Sequence, residues 1–196
     1  GKPYHAGMAA SNGIEAAKLS KLGFVSREDG IECDQGFFQT HGWDKKTPTR
    51  ALENLGTDFL FPEIKYKFHA CCHGLHSFLE ALEELKQENN FNPESIEEIA
   101  IETNPSWLKV CNIQEPKTGL ESKFSYKLTA AMSIYGKDTA DLGTYNDDIC
   151  FDEKINNVRD KVTVIPNDKL TNTQSLISIK DGTRDIKNKH DLSDKI

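Results

Sequence analysis

The segment from Ile64 to His76 constrains the fold of this chain more than any other stretch. Residues 64–68 alternate apolar or aromatic side chains with lysines, which predicts a β-strand. Apolar residues then recur at helical spacing and predict a helix from about residue 76, namely Phe78, Leu79, Leu82 and Leu85. Two cysteines and three histidines fill the turn between strand and helix. A helix N-terminus offers unpaired N–H groups and partial positive charge, so we predict an anion site at this turn.

The totals of the sequence exclude several classes of protein. A chain of 196 residues can bury a real core, as one large domain or two small ones. Its net charge of −7 argues against a nucleic-acid partner, which usually requires a basic face. No apolar run approaches the roughly 18 residues of a membrane span, so we expect no membrane partner. The five cysteines do not have the spacing of a small secreted scaffold, which favours a reduced, cytoplasmic protein.

The first part of the chain reads as helical. Residues 6–23 form an apolar face of small side chains, which predicts a helix that ends at Gly23 and packs inside a larger helical body. Residues 49–55 predict a short helix that ends at Gly56. We place a domain boundary near residues 56–60.

The second part of the chain predicts an α+β domain with a mostly antiparallel sheet. Residues 98–104, 162–166 and 174–180 have strand patterns, whereas residues 122–135 and 152–159 have helical ones. Asp181-Gly182 stands between two alternating runs, which is a strong signal for a hairpin whose second strand begins at Arg184.

The candidate chemistry at the turn has alternative interpretations. Adjacent Cys71 and Cys72 do not bind one ion with good geometry, and no second ligand pair exists, so we predict no metal site. Cys71 is equally explained as a small buried packing group. Lys65 and Lys67 either form a solvated face or neutralise a ligand carboxylate beside the helix N-terminus. His5, just before the first helix with Lys2, is a ligand-binding residue or a capping residue.

Four separated segments resemble motifs of the MmgE/PrpD family, in the same order. They are residues 2–13 (KPYHAGMAASNG), 67–76 (KFHACCHGLH), 123–127 (KFSYK) and 179–184 (IKDGTR). The family includes 2-methylcitrate dehydratase, cis-aconitate decarboxylase and iminodisuccinate epimerase. The resemblance covers nearly the whole chain.

The resemblance implies a large helical domain and a smaller α+β lid, with the site in the cleft between them. Residues 1–56 would be the C-terminal piece of the helical domain, residues 57–187 the lid, and residues 188–196 the return toward the helical domain. We therefore expect a fragment that lacks the N-terminal helical half and is inactive on its own. The resemblance also implies a homodimer for the intact protein.

The resemblance further implies a cofactor-independent lyase, of the hydro-lyase type, that acts on a small di- or tricarboxylate. The shared chemistry is proton abstraction at a carbon next to a carboxylate, which needs a base and cations. By position, Lys2 and Lys67 match the two active-site lysines of the family, and we expect their ammonium groups to face a common cleft. With His5 they are the predicted catalytic residues.

Cys72 and His73 are the predicted substrate-binding residues. In one branch of the family a histidine stands where Cys72 stands here, a departure that leaves the exact reaction open. The alternatives are an isomerase or epimerase of an amino- or imino-dicarboxylate, and a non-catalytic fragment that serves as a lid or packing module.

Overall fold

The computed structural model describes residues 1–42, 53–182 and 184–195, which divide into two compact units, Gly1–Ile64 and Lys65–Ile196. Most of the predicted helix at residues 49–55 lies outside the described residues. The domain boundaries predicted near residue 56 and at residue 188 stay predictions.

The first unit is built around one long helix. Helix α1 (Lys2–Lys21) has a proline in its first turn, where the missing N–H costs nothing, and the chain leaves the helix through Gly23 at φ +81°. Every α1 side chain is exposed. The predicted helix is thus confirmed with an earlier start. A short helix α2 (Phe37–Thr40) and a 3₁₀ turn (Phe61–Glu63) follow.

The second unit contains the sheet and the remaining described helices. Its α-helices are α3 (His76–Glu88), α4 (Pro105–Leu108), α5 (Gly119–Ser122), α6 (Tyr126–Ile134) and α7 (Glu153–Arg159). Its strands are β1 (Ile96–Thr103), β2 (Val162–Pro166), β3 (Gln174–Asp181) and β4 (Arg184–Asp191). Short 3₁₀ turns lie at His73–Leu75, Pro93–Ser95, Leu142–Thr144, Asp148–Cys150 and Leu192–Lys195.

The four strands form one sheet in the order β2-β1-β3-β4. Strand β1 pairs with β2 in parallel, and β1 with β3 and β3 with β4 in antiparallel. The parallel pair requires a crossover, and the chain from α4 to α7 supplies it. The predicted hairpin is confirmed, with Gly182 at φ +60° between β3 and β4. The prediction of an α+β fold with a mostly antiparallel sheet is correct.

Alternation along the central strands decides which face of the sheet is buried. Ile99 of β1 stands opposite Ile179 of β3, and both side chains point inward and are fully buried. The outward positions are mostly polar, and Lys180 pairs with Glu98 at 2.6 Å across the two strands. The buried face packs with the apolar side of α3, which presents Phe78, Leu79, Leu82 and Leu85. Helix α6 packs against α3, α7 and β2 and closes the core.

Candidate active site

The turn between Lys67 and His76 is held in place by hydrogen bonds from distant parts of the second unit. Ala70 N–H donates to the carbonyl of Thr139 at 2.8 Å, and Cys72 N–H donates to the carbonyl of Lys123 at 2.9 Å. The hydroxyl of Tyr126 donates to the carbonyl of Gly74 at 2.7 Å. Because these contacts come from the loop before α6, from α6 itself and from the loop after it, the turn is fixed by the packed domain.

Gly74 allows the turn to approach the core closely. A Cβ at this position would lie 2.5 Å from the Trp107 ring and 2.9 Å from the Cys111 sulfur. Real Cβ atoms do not tolerate such distances, so only glycine fits without displacing these side chains. The turn enters α3 through a 3₁₀ turn at His73–Leu75, in which Leu75 N–H donates to the carbonyl of Cys72 at 2.9 Å.

The strand predicted at residues 64–68 is wrong. These residues are irregular and belong to no strand of the described sheet, and Ile64, Tyr66 and Phe68 are at least half exposed. A segment with period-2 alternation forms a β-strand only where a neighbouring strand offers free hydrogen-bonding groups. No described strand pairs with residues 64–68. The predicted helix that begins at His76 is confirmed.

Lys67 lies at the entrance to the turn with its ammonium group folded back onto it. Its Nζ donates to the carbonyl of Cys71 at 2.8 Å, and its side chain is exposed. Among the residues that the structure describes, no carboxylate forms an ion pair with Lys67 or with Lys65. The turn therefore presents positive charge that the described part of its unit does not neutralise.

His73 lies beside this charge and is exposed. Partial desolvation and the ammonium groups of Lys67 and Lys65 lower the pKa of His73 below its usual value. The imidazole is therefore neutral at neutral pH and is able to accept a proton. Its ring lies 5.3 Å from the ring of His76, which is fully buried, and burial lowers the pKa of His76 to about 4.

Cys71 and Cys111 remain thiols. Burial raises the pKa of Cys71 to about 12, and contact with the Cys72 thiol together with burial raises the pKa of Cys111. Cys72 is half-buried, as a pocket-lining side chain would be. Thiolate chemistry at Cys71 or Cys111 is thus unfavourable, and these two side chains act as packing and hydrogen-bonding groups.

Lys2 and His5 lie in the first turn of α1, in the other unit, and both are exposed. The backbone N–H of His5 donates to the carbonyl of Gly1 at 3.1 Å, which starts the helix. The structure brings Lys67, Cys72 and His73 together in the second unit. A cleft shared by Lys2 and Lys67 stays a prediction.

Two residues of the second unit join the turn without having been predicted as site residues. Lys123 is the C-cap residue of α5 and lies three residues before α6, which Ser125 caps through a 3.1 Å bond from Leu128 N–H. The Lys123 ammonium lies 5.7 Å from the centre of the Tyr145 ring. Lys123 is part of the segment that resembles a family motif, so a sequence signal existed. Tyr145 comes from an irregular loop, and no local pattern singles it out.

A cavity of about 310 Å³ is lined by Phe68 and His69 of the turn and by residues 136–140. His69 forms its buried wall: the ring Nε2–H donates to Glu80 at 3.1 Å and the Thr139 hydroxyl donates to Nδ1 at 2.7 Å. This tautomer follows because an ionised carboxylate only accepts hydrogen bonds. His69 and Thr139 are 70 residues apart in the sequence, so no local sequence pattern reveals their contact.

Two classes of site receive no support from the described part of the chain. No group of three or more histidine, cysteine or acidic side chains there is arranged to hold a metal ion. Likewise, none of the helices described is both long and apolar enough to cross a bilayer.

The fold and the turn define an α+β domain in which a lysine, without an ion-pair partner among the described residues, lies beside a histidine at a helix start. Residues 69–191 match the family model of the MmgE/PrpD C-terminal domain. The chain therefore belongs to the MmgE/PrpD family. A search of curated proteins gives no match.

Proposed function

We propose that this chain is part of a lyase of the dehydratase type that acts on a small di- or tricarboxylate. The observation that carries the proposal is the position of Lys67, two residues before the matched family domain, at the entrance to the turn that opens this domain. Its ammonium group has no ion-pair partner in the described part of the chain and lies next to neutral His73. A carboxylate ligand would supply the missing negative charge.

The proposed mechanism divides binding and proton transfer between different groups. Lys67 binds a carboxylate and, in doing so, stabilises the negative charge that develops when the adjacent carbon loses its proton. Lys2 is proposed to bind a second carboxylate and His5 to take part in proton transfer. Cys72 and His73 line the pocket, and neutral His73 can accept a hydrogen bond or a proton without adding charge.

The rigid backing of the turn supports this role. A cation stabilises a transition state most when it does not have to reorganise during the reaction. The Lys67 ammonium is held at 2.8 Å by the Cys71 carbonyl, and the turn itself is anchored through Ala70 and Cys72. A substrate carboxylate approaching this ammonium would meet a donor that already points along a fixed direction.

A second candidate is a non-catalytic lid or packing module, because the matched family model is that of the C-terminal domain. An isomerase or epimerase of an amino- or imino-dicarboxylate remains the alternative reaction. Such an enzyme would begin with the same proton abstraction, so Lys67, Cys72 and His73 would have the same roles in it.

Solvent isotope exchange tests the shared step directly. The intact enzyme of which this chain is proposed to be part is incubated in D₂O with methylcitrate, cis-aconitate or iminodisuccinate, and proton NMR follows deuterium entering the position next to a carboxylate. We expect exchange with at least one of them, accompanied by water loss for a dehydratase or by stereoisomer formation for an epimerase. Absence of both exchange and product formation with all three supports the non-catalytic module.

A further inference from the structure

Lys123 is a second cation beside the turn. It is half-buried, and among the described residues no carboxylate pairs with it. Its ammonium group lies 5.7 Å from the centre of the Tyr145 ring, within the range of a cation–π contact. That contact orients the ammonium but leaves its charge uncompensated.

The backbone ties Lys123 to the turn that carries Lys67. The carbonyl of Lys123 accepts the N–H of Cys72 at 2.9 Å, while Lys67 Nζ donates to the carbonyl of the preceding residue, Cys71, at 2.8 Å. The Lys67 ammonium and the Lys123 backbone are therefore anchored to the same peptide group, the one that joins Cys71 to Cys72. The Tyr145 side chain, whose ring contacts the Lys123 ammonium, is buried, and its hydroxyl donates a hydrogen bond to the carbonyl of Thr139 at 3.0 Å.

The ammonium groups of Lys67 and Lys123 both affect the pKa of the buried Cys71 thiol. Burial raises its pKa, while its contact with Tyr145 and the charges of Lys67 and Lys123 oppose that rise. Both ammonium groups are thus near enough to the same enclosed sulfur to influence it. Two uncompensated cations at one partly desolvated place are unfavourable in the empty protein and favourable around a dianion.

We infer that Lys123 is a substrate-binding residue, and that one ligand with two carboxylates is held between Lys67 and Lys123. The inference rests on the proposed function and sharpens it, because it assigns two carboxylate contacts to the C-terminal domain alone. A monocarboxylate satisfies only one of the two lysines and binds more weakly.

Binding of simple carboxylates to the full chain tests this inference. Isothermal titration with succinate and with propionate compares two carboxylates with one. Lys123→Gln should weaken succinate binding by about tenfold or more and remove most of the preference for succinate over propionate. Lys123→Arg should keep part of that preference, because it retains the charge. Lys127→Gln, four residues along and also half-buried, is the matched control and should bind as the parent does.

The outcomes separate this inference from the proposed function. Succinate binding that Lys67→Gln weakens and Lys123→Gln leaves intact would overturn the role of Lys123 while supporting Lys67. Binding that neither variant changes would overturn both, as would failure of the parent chain to bind succinate. Equal losses in Lys123→Gln and Lys127→Gln would also overturn it, since they would indicate a diffuse electrostatic effect.

Discussion

The ammonium group of Lys67 donates to the carbonyl oxygen of Cys71 at 2.8 Å, so a lysine in an irregular segment is fixed to a turn packed into the core. Cys71 is buried, and its neighbours on both sides are hydrogen-bonded to distant loops. A flexible side chain thus acquires a defined position without belonging to a helix or strand. That position is the basis of the proposed site.

Replacing Lys67 by alanine in the intact enzyme should lower kcat/KM by about 10²–10³-fold, because it removes a preorganised cation from the reacting carboxylate. Lys65→Ala is the matched control, since Lys65 is equally exposed and has no hydrogen bond to the turn among the described residues. Steady-state kinetics on both variants measure the difference. Turnover of Lys67→Ala close to that of the parent would remove Lys67 from the site.

Gly74→Ala should destabilise the second unit by about 1–3 kcal/mol, because the new methyl group would overlap the Trp107 ring and the Cys111 sulfur. Gly143→Ala serves for comparison, since the nearest atom to its Cβ is an Asp141 carboxylate oxygen at 3.4 Å. Urea unfolding gives both free energies. Equal stability of the two variants would contradict the close approach of the turn to the core.

Regular patterns in the sequence were sufficient to predict most of the second unit. Strands β1 and β3 were recognisable because one face is buried and the other solvated, which leaves alternation in the sequence. The hairpin was recognisable because Asp181-Gly182 fits a tight turn. The same alternation at residues 64–68 led to a wrong strand prediction, because a strand also needs a partner strand elsewhere in the fold and the local sequence does not reveal one.

The candidate site was only partly predictable for a similar reason. Lys67, Cys72 and His73 are adjacent along the chain, so their proximity follows from local sequence. Lys123 and Tyr145 reach the turn only through the packing of α6 and the loops around it. Contacts between residues so far apart in sequence leave no periodic signal, and only a structure brings them together.

Tyr126→Phe should cost about 1–3 kcal/mol of unfolding free energy. The Tyr126 hydroxyl is fully buried, donates to the carbonyl of Gly74 at 2.7 Å and lies 3.1 Å from the Thr103 hydroxyl, so its removal leaves polar atoms unsatisfied. Tyr135→Phe is the control, because its hydroxyl bond to Glu94 is at the surface. Thermal or urea unfolding should show a loss for the first variant alone; equal effects would argue against an anchoring role.

The chain on its own should self-associate through α1. Tyr4, Met8 and Leu19 lie on one side of this helix and are 69%, 40% and 40% exposed. Light scattering should therefore show a mass that rises with concentration, and Met8→Lys with Leu19→Lys should reduce it. Ala6→Lys with Ser20→Lys adds the same charge to the opposite side and should reduce it less. A constant monomer mass for the parent chain would refute this expectation.

Stability should fall as the pH is lowered through the range in which His76 titrates. Burial lowers the pKa of His76 to about 4 in the folded chain from 6.5, so the unfolded chain binds this proton more readily. The contribution is complete above pH 6.5 and is lost as the pH falls to about 4, by about 3 kcal/mol in total. Burial also lowers the pKa of His69, which adds a loss of the same sign. Urea unfolding across this range should show that the unfolding free energy changes less steeply with pH for His76→Gln than for the parent chain. A substitution of exposed His5 is the control and should leave the slope unchanged. An unchanged slope in His76→Gln would show that the buried ring is not the titrating group.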